Sequence, residues 1–263
     1  MLVLLPPSEG KATAVRGRPL ALDRLSLPAL TGARAAVLDE LVRLCEDSRD
    51  DEDGGKAAEV LGLTPGLRGE IAKNAALRSA PTLPAADLYT GVLYDALGLA
   101  TLDTAALRRA RRSVLVFSGL WGALRLADRV PSYRCSMGVR LPGAGALATY
   151  WRPHLDAVLP DAAGSGLVLD LRSSAYAAAW KPPAALARRT ATVRVLQVTV
   201  VDGVEKRSVV SHFNKATKGT LLRSLLAAGA TPKTPTALAG VLRDLGFEVE
   251  QPGGGGQLDV LLR

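Results

Sequence analysis

The chain has 263 residues, of which 48% are hydrophobic and only 4% aromatic, so it can bury a sizeable core made mainly of Leu, Val and Ala. Its formal net charge of +8 attracts polyanions, either nucleic acid or phosphorylated small molecules. Two cysteines, Cys45 and Cys135, and two histidines, His154 and His212, cannot assemble a zinc site of the usual spacing, and no apolar run reaches the length of a membrane span. The opening MLVLLPPSEG lacks the basic region and cleavage site of a secretion signal. These features predict a cytoplasmic protein with reduced thiols, without a metal, a cofactor or a membrane partner.

In chain order, Leu2 to Leu5 reads as a strand stopped by Pro6-Pro7, and Thr31 as the cap of a helix running to about Asp47. An acidic loop follows, carrying Asp47, Asp50, Asp51, Glu52 and Asp53. A short helix near 57–61 and a second from about Leu67 enclose a Gly-Pro-Gly turn. Thr104 is the expected cap of a helix to about Arg112, which feeds a buried strand at 113–117. Further on, the pattern predicts a helix over 146–159, a strand over 166–170 and a helical piece over 175–180. It continues with a hairpin of 192–201 and 206–212 across Asp202-Gly203, helices over 215–228 and 236–245, and a closing pair of strands, 247–250 with 258–262. Helices and strands do not alternate strictly. The expected fold is therefore a single α+β domain over 1–263, its central sheet largely antiparallel or mixed and surrounded by helices.

The segment SGLWGALRLADRVPSYRCSMG, Ser118 to Gly138, follows the buried strand and strings glycines and arginines together. Gly119 and Gly122 allow close backbone approach, and Arg125, Arg129 and Arg134 each offer a planar fork of donors to a phosphate or carboxylate. With Val139 to Leu141 it resembles the signature of the YaaA family of peroxide-stress proteins, SGLxGxLRPxDxxxxYRxxMGxxL. Other family-like pieces fall in order along nearly the whole chain. They are LLPPSEGK ending at Lys11, YTG at Tyr89, the pair Tyr150-Trp151, DLRSSAY from Asp170, and HFNKATKG from His212 to Gly219. The resemblance implies a part in survival under hydrogen peroxide and binding of DNA. The chain departs from the pattern at Leu126, where the family has proline, at Arg172 and Ala175, where it has alanine and an acidic residue, and at His212.

Several segments carry candidate chemistry. LLPPSEGK invites comparison with a phosphate-binding P-loop, but the first glycine would fall at Leu5 and the metal-binding hydroxyl at Ala12, which leaves only Lys11 past a strand end. HFNKATKG predicts a helix start that places Lys215, Thr217 and Lys218 in the first turn beside unpaired N–H groups, an anion-binding arrangement that Gly219 lets a ligand approach. Residues 57–78 outline a helix-hairpin-helix element with Gly66, Arg68, Lys73 and Asn74, although its usual G-h-G core is shifted, with Gly69 one place late. Ser8, Ser118, Ser174 and Cys135 are candidate nucleophiles with His212 or His154 as base, yet no nucleophile-elbow signature pairs them.

Two functional readings stand. In the first, the protein binds duplex or damaged DNA through Lys11, Arg68, Lys73, Arg125, Arg134, Lys215 and Lys218, with Gly66, Gly119, Gly122 and Gly219 letting the backbone approach. In the second, an enzyme acts on a small anionic or nucleotide-like metabolite in a basic cleft, with Lys11, Asp128, Tyr133 and Lys215 as acid–base candidates. An enclosed pocket at the motif residues favours the second, and an open groove the first.

Overall fold

The computed structural model describes the chain from Met1 to Arg263 except Glu52, Asp202 and Val210 and the side chains of Val201, Ser211 and His212. The strands are β1 (Leu2–Leu5), β2 (Leu83–Pro84), β3 (Val114–Ser118), β4 (Gly122–Arg125), β5 (Arg129–Val130), β6 (Arg140–Leu141), β7 (Gly145–Ala146), β8 (Val168–Asp170), β9 (Thr190–Val201), β10 (Val204–Val209), β11 (Glu248–Glu250) and β12 (Gln257–Leu262). The helices that frame them are α1 (Thr31–Asp47), α2 (Gly55–Leu61), α3 (Gly69–Ala75), α4 (Ala85–Leu88), α5 (Val92–Leu97) and α6 (Thr104–Ser113). After the signature segment come α7 (Leu147–Asp156), α8 (Leu159–Ala163), α9 (Ser174–Ala177), α10 (Ala184–Ala187), α11 (Ser211–Ala228) and α12 (Pro235–Asp244).

Eight strands join in one mixed sheet of order β11-β12-β9-β8-β1-β3-β4, with β10 added to β9. The centre is parallel: β1 pairs with β3 and β8, and β9 with β8 and β12. Antiparallel pairs occupy the flanks, β3 with β4, β9 with β10, and β11 with β12. The mixed sheet is as expected, whereas the largely antiparallel alternative is corrected. Turn chemistry marks hairpins between neighbours in sequence, but parallel partners meet only through long crossovers that no local signal announces. The apolar runs of β1 and β3, buried at every position, are what a strand covered on both faces requires.

Several boundaries shift for local reasons. Leu30, not Thr31, precedes α1, because a 3-10 turn at Pro28–Leu30 already leads into it. Asp103 rather than Thr104 caps α6, its carboxylate accepting the Ala106 N–H at 2.7 Å. The stretch expected as one helix over 146–159 divides into α7 and α8, with Pro160 at the start of the second. The β9–β10 hairpin forms, although Asp202 at its turn lies outside the described residues. No helix among the described residues is long and apolar enough to cross a membrane.

Candidate functional site

Reading outward from the sheet centre, β1 is flanked by β3 on one side and β8 on the other, and the chain leaves β8 toward β9, away from β1. Crossovers from β1 and from β8 thus run in opposite directions, which opens a crevice beyond their carboxyl ends, where ligand sites of open parallel sheets form. A cleft of about 360 Å³ lies there. Pro6 to Gly10, the turn after β1, forms one wall, and Ser173 and Tyr176, after β8, form another. Thr90 to Tyr94 at the start of α5 and Lys215 of α11 complete it.

Each wall is fixed by its own sequence. Ser8 Oγ donates to the Gly10 carbonyl and accepts the Thr90 N–H at 3.1 Å, while Lys11 bridges to Tyr89 in an isolated antiparallel pairing. LLPPSEGK and YTG are thereby zipped together. Tyr94 stacks on Tyr89 at 5.6 Å between ring centroids and donates from Oη to the Pro6 carbonyl at 2.7 Å. Behind the β8 wall, Arg172 makes a bidentate pair with Asp170 at 2.8 and 2.6 Å and donates to the Tyr176 and Trp180 carbonyls. Its guanidinium also lies 4.3 Å from the Phe117 ring centroid. The departure from the family pattern at Arg172 is therefore a buried strut beneath the cleft wall.

The cleft offers the hydroxyls of Ser8, Thr90 and Ser173, the phenols of Tyr94 and Tyr176, the Glu9 carboxylate and the Lys215 ammonium. Burial pushes both phenols above their ordinary range, so they enter as neutral hydrogen-bonding groups. Lys215 is exposed and has no hydrogen-bond or ion-pair partner among the described residues. With the Glu9 carboxylate paired to Arg134, the aromatic walls and Lys215, the one unpaired cation among the described lining residues, suit a planar ligand bearing a negative charge.

The other predicted site residues take different positions. Lys11 donates from Nζ to the Ser8 carbonyl at 2.9 Å and sits 4.5 Å from the Tyr133 ring centroid, and burial lowers its pKa to about 8. Tyr133 is buried in a hydrogen-bonded chain, 2.6 Å from Ser118 Oγ and 2.9 Å from Tyr89 Oη. Asp128 accepts the Ser26 and Arg125 N–H groups on separate oxygens, both at 2.8 Å, and so pins backbone. Arg125 donates to the Arg112 carbonyl, and Arg134 pairs with Glu9 at 3.1 Å. Lys218 points inward to the Leu171 carbonyl at 3.4 Å, and burial lowers its pKa.

The predicted helix start at Lys215 is corrected: α11 begins at Ser211, so Lys215, Thr217 and Lys218 lie beyond the first turn, where backbone N–H groups bond within the helix. Three of the four glycines meet the protein's own atoms. A Cβ at Gly119 would approach the Cys135 carbonyl to 2.6 Å, one at Gly122 the Trp151 ring to 2.8 Å, and one at Gly219 would overlap α5, whereas Gly66 faces open space. Over 57–78, two seven-residue helices flank left-handed Gly62 and a 3-10 turn at Pro65–Leu67. Arg68 pairs there with Asp53 at 2.9 Å and Lys73 with Glu70 at 2.5 Å, while Asn74 is buried and holds both backbone groups of Arg134. The helix-hairpin-helix element is not confirmed, since α3 packs on α1 and Arg68, Lys73 and Arg78 bond to the carboxylates of Asp53, Glu70 and Asp39.

Among the candidate nucleophiles, Ser118 Oγ accepts the Leu120 and Trp121 N–H groups inside the core. Cys135 is buried and its thiol pKa is pushed up to about 12. Cys45 is likewise pushed up by burial, to about 11. Neither thiol is a nucleophile near neutral pH. His154 packs against Tyr150 at 5.1 Å in α7, remote in sequence from the cleft walls. Sequence reasoning missed Arg34, which is fully buried and donates to the Trp121, Ser26 and Ala123 carbonyls at 2.7 to 3.1 Å.

Comparison with known proteins gives a consistent picture. The family described as Peroxide stress protein YaaA matches residues 1–252. A UPF0246 protein of Streptomyces coelicolor is 63% identical over 100% of this chain and 98% of its own length. UPF0246 proteins of Corynebacterium efficiens and Corynebacterium glutamicum are 41% and 38% identical, each over 95% of both chains.

Proposed function

The chain belongs to the YaaA family of peroxide stress proteins, and from that premise we propose that it serves the peroxide response by taking a small anionic, nucleotide-like metabolite into the β1/β8 cleft. The observation that carries this reading is convergence: LLPPSEGK, YTG, DLRSSAY and HFNKATKG, distant in sequence, each contribute to one cleft at the switch point of the sheet. The buried, high-pKa thiols argue that the protein does not consume peroxide through cysteine, because peroxide-reactive cysteines are exposed thiolates. Lys215 holds the anionic group, the tyrosine walls enclose the ring, and the hydroxyls read its edge.

Calorimetric titration with nucleoside mono- and diphosphates tests the reading. Saturable binding is expected, weakened roughly tenfold in Lys215→Ala, the size of one charge-assisted contact. Absence of binding to every nucleotide, or binding unaltered in Lys215→Ala, would remove the cleft from the function. A second reading, contact with duplex DNA through backbone phosphates, is favoured by the net charge of +8.

A further inference from the structure

A second cavity, of about 550 Å³, lies between the loop over 18–25 and the small β2–β5 ribbon. Arg18, Arg24 and Arg129 line it, with Asp23 as the one carboxylate among its described lining residues. Thr82, nearly fully buried, fixes the two walls against each other. Its N–H and Oγ1 donate to the Arg18 carbonyl at 3.1 and 2.9 Å, and its own carbonyl accepts from Arg129 Nη2 at 2.8 Å. Arg129, one of the signature-segment arginines that do not line the cleft, is therefore tethered through Nη2 with donors to spare. Neither Arg18 nor Arg24 has an ion-pair partner among the described residues. Three arginines line the concavity against one carboxylate, and their guanidinium forks match phosphate oxygens.

We propose that this arginine-lined cavity binds a phosphate-bearing small molecule of nucleotide size. The volume lies within the range of small-molecule sites. None of its lining residues lines the β1/β8 cleft, so the two sites stand or fall separately.

Titration calorimetry with pyrophosphate as probe tests the proposal, with circular dichroism confirming that each variant is folded. Saturable binding is expected, weakened roughly tenfold or more in the Arg18→Gln, Arg24→Gln pair. Arg129→Lys should weaken it as well, because a single ammonium keeps the charge but not the fork. Lys215→Ala should bind pyrophosphate here normally, which separates failure of this site from failure of the cleft. Competition distinguishes the source of the phosphate. Displacement by a nucleoside triphosphate supports a small molecule, and displacement by a short duplex alone overturns that assignment in favour of nucleic acid. No saturation, or unchanged binding in both the Arg18→Gln, Arg24→Gln pair and Arg129→Lys, overturns the site.

Discussion

Lys11 is a cation whose surroundings work against its charge. Burial lowers its pKa from the ordinary value of 10.5 to about 8, only partly opposed by Glu9, while Arg134 lowers it further. Below pH 8 both folded and unfolded chains carry the proton, and the folded state bears the desolvation cost in full. Between about pH 8 and 10.5 the folded chain sheds the proton and the unfolded chain keeps it, so this residue's contribution to stability rises with pH. The buried tyrosines act in the opposite sense near pH 10, since their folded pKa values are raised, which confines the useful window to pH 7 to 9.5 by choice of buffer. Denaturant unfolding of wild type and Lys11→Met across that window should show wild type gaining about 1–2 kcal/mol on the variant. Parallel stability curves would place the amine in solvent instead. Lys11 was legible in the sequence because it ends a motif. Arg34 was not, since its acceptors at Trp121 and Ala123 lie 87 and 89 positions away and are carbonyls, which carry no sequence signature.

The helices that shape the cleft depend on close approach more than on propensity. Gly219 sits inside α11 where that helix crosses α5, and a Cβ there would overlap the Leu93 carbonyl and come within 2.8 Å of Ala96 Cβ. An alanine inside a helix ordinarily stabilises by about 1 kcal/mol over glycine, while overpacking costs about 1–3 kcal/mol. At this crossing the clash wins, because its nearest atoms are backbone and cannot rotate away. Gly240 in α12 has nothing within 4 Å of a Cβ and supplies the control. Thermal unfolding should show Gly219→Ala destabilised by roughly 1–2 kcal/mol and Gly240→Ala stabilised by about 0.5–1 kcal/mol. Stabilisation of both would mean that α5 and α11 do not touch as described. The glycine in HFNKATKG was legible as a place of close approach, but sequence could not say to what. Nor could it place the start of α11, because the residues before Lys215 continued the alternation of the preceding strand. The six-residue α5 was missed altogether, for its stop at left-handed Gly98 leaves too few residues to establish a helical period.

At the scale of the whole molecule, the excess positive charge and its placement tell different stories about DNA. Of the residues predicted to neutralise phosphates, Lys11 and Lys218 turn inward to carbonyls, Lys73 and Arg134 bond to carboxylates of the chain, and Arg125 donates to Arg112. The field of the +8 chain persists at long range, but fewer cations than the sequence suggested present a free head. On the second reading, duplex affinity falls with salt, each neutralised phosphate contributing a slope of about −0.9 on a log–log plot. Lys215 lies exposed on the cleft rim while Lys218 is held at the Leu171 carbonyl, so the two lysines of one motif are not equivalent. A fluorescence titration of a labelled short duplex should show the Lys215→Ala, Lys218→Ala pair flattening that slope by about one unit rather than two. A change of two units would bring Lys218 out onto the phosphates and make α11 part of a nucleic-acid surface. An unchanged slope would detach the rim from DNA and leave Lys215 to the cleft alone.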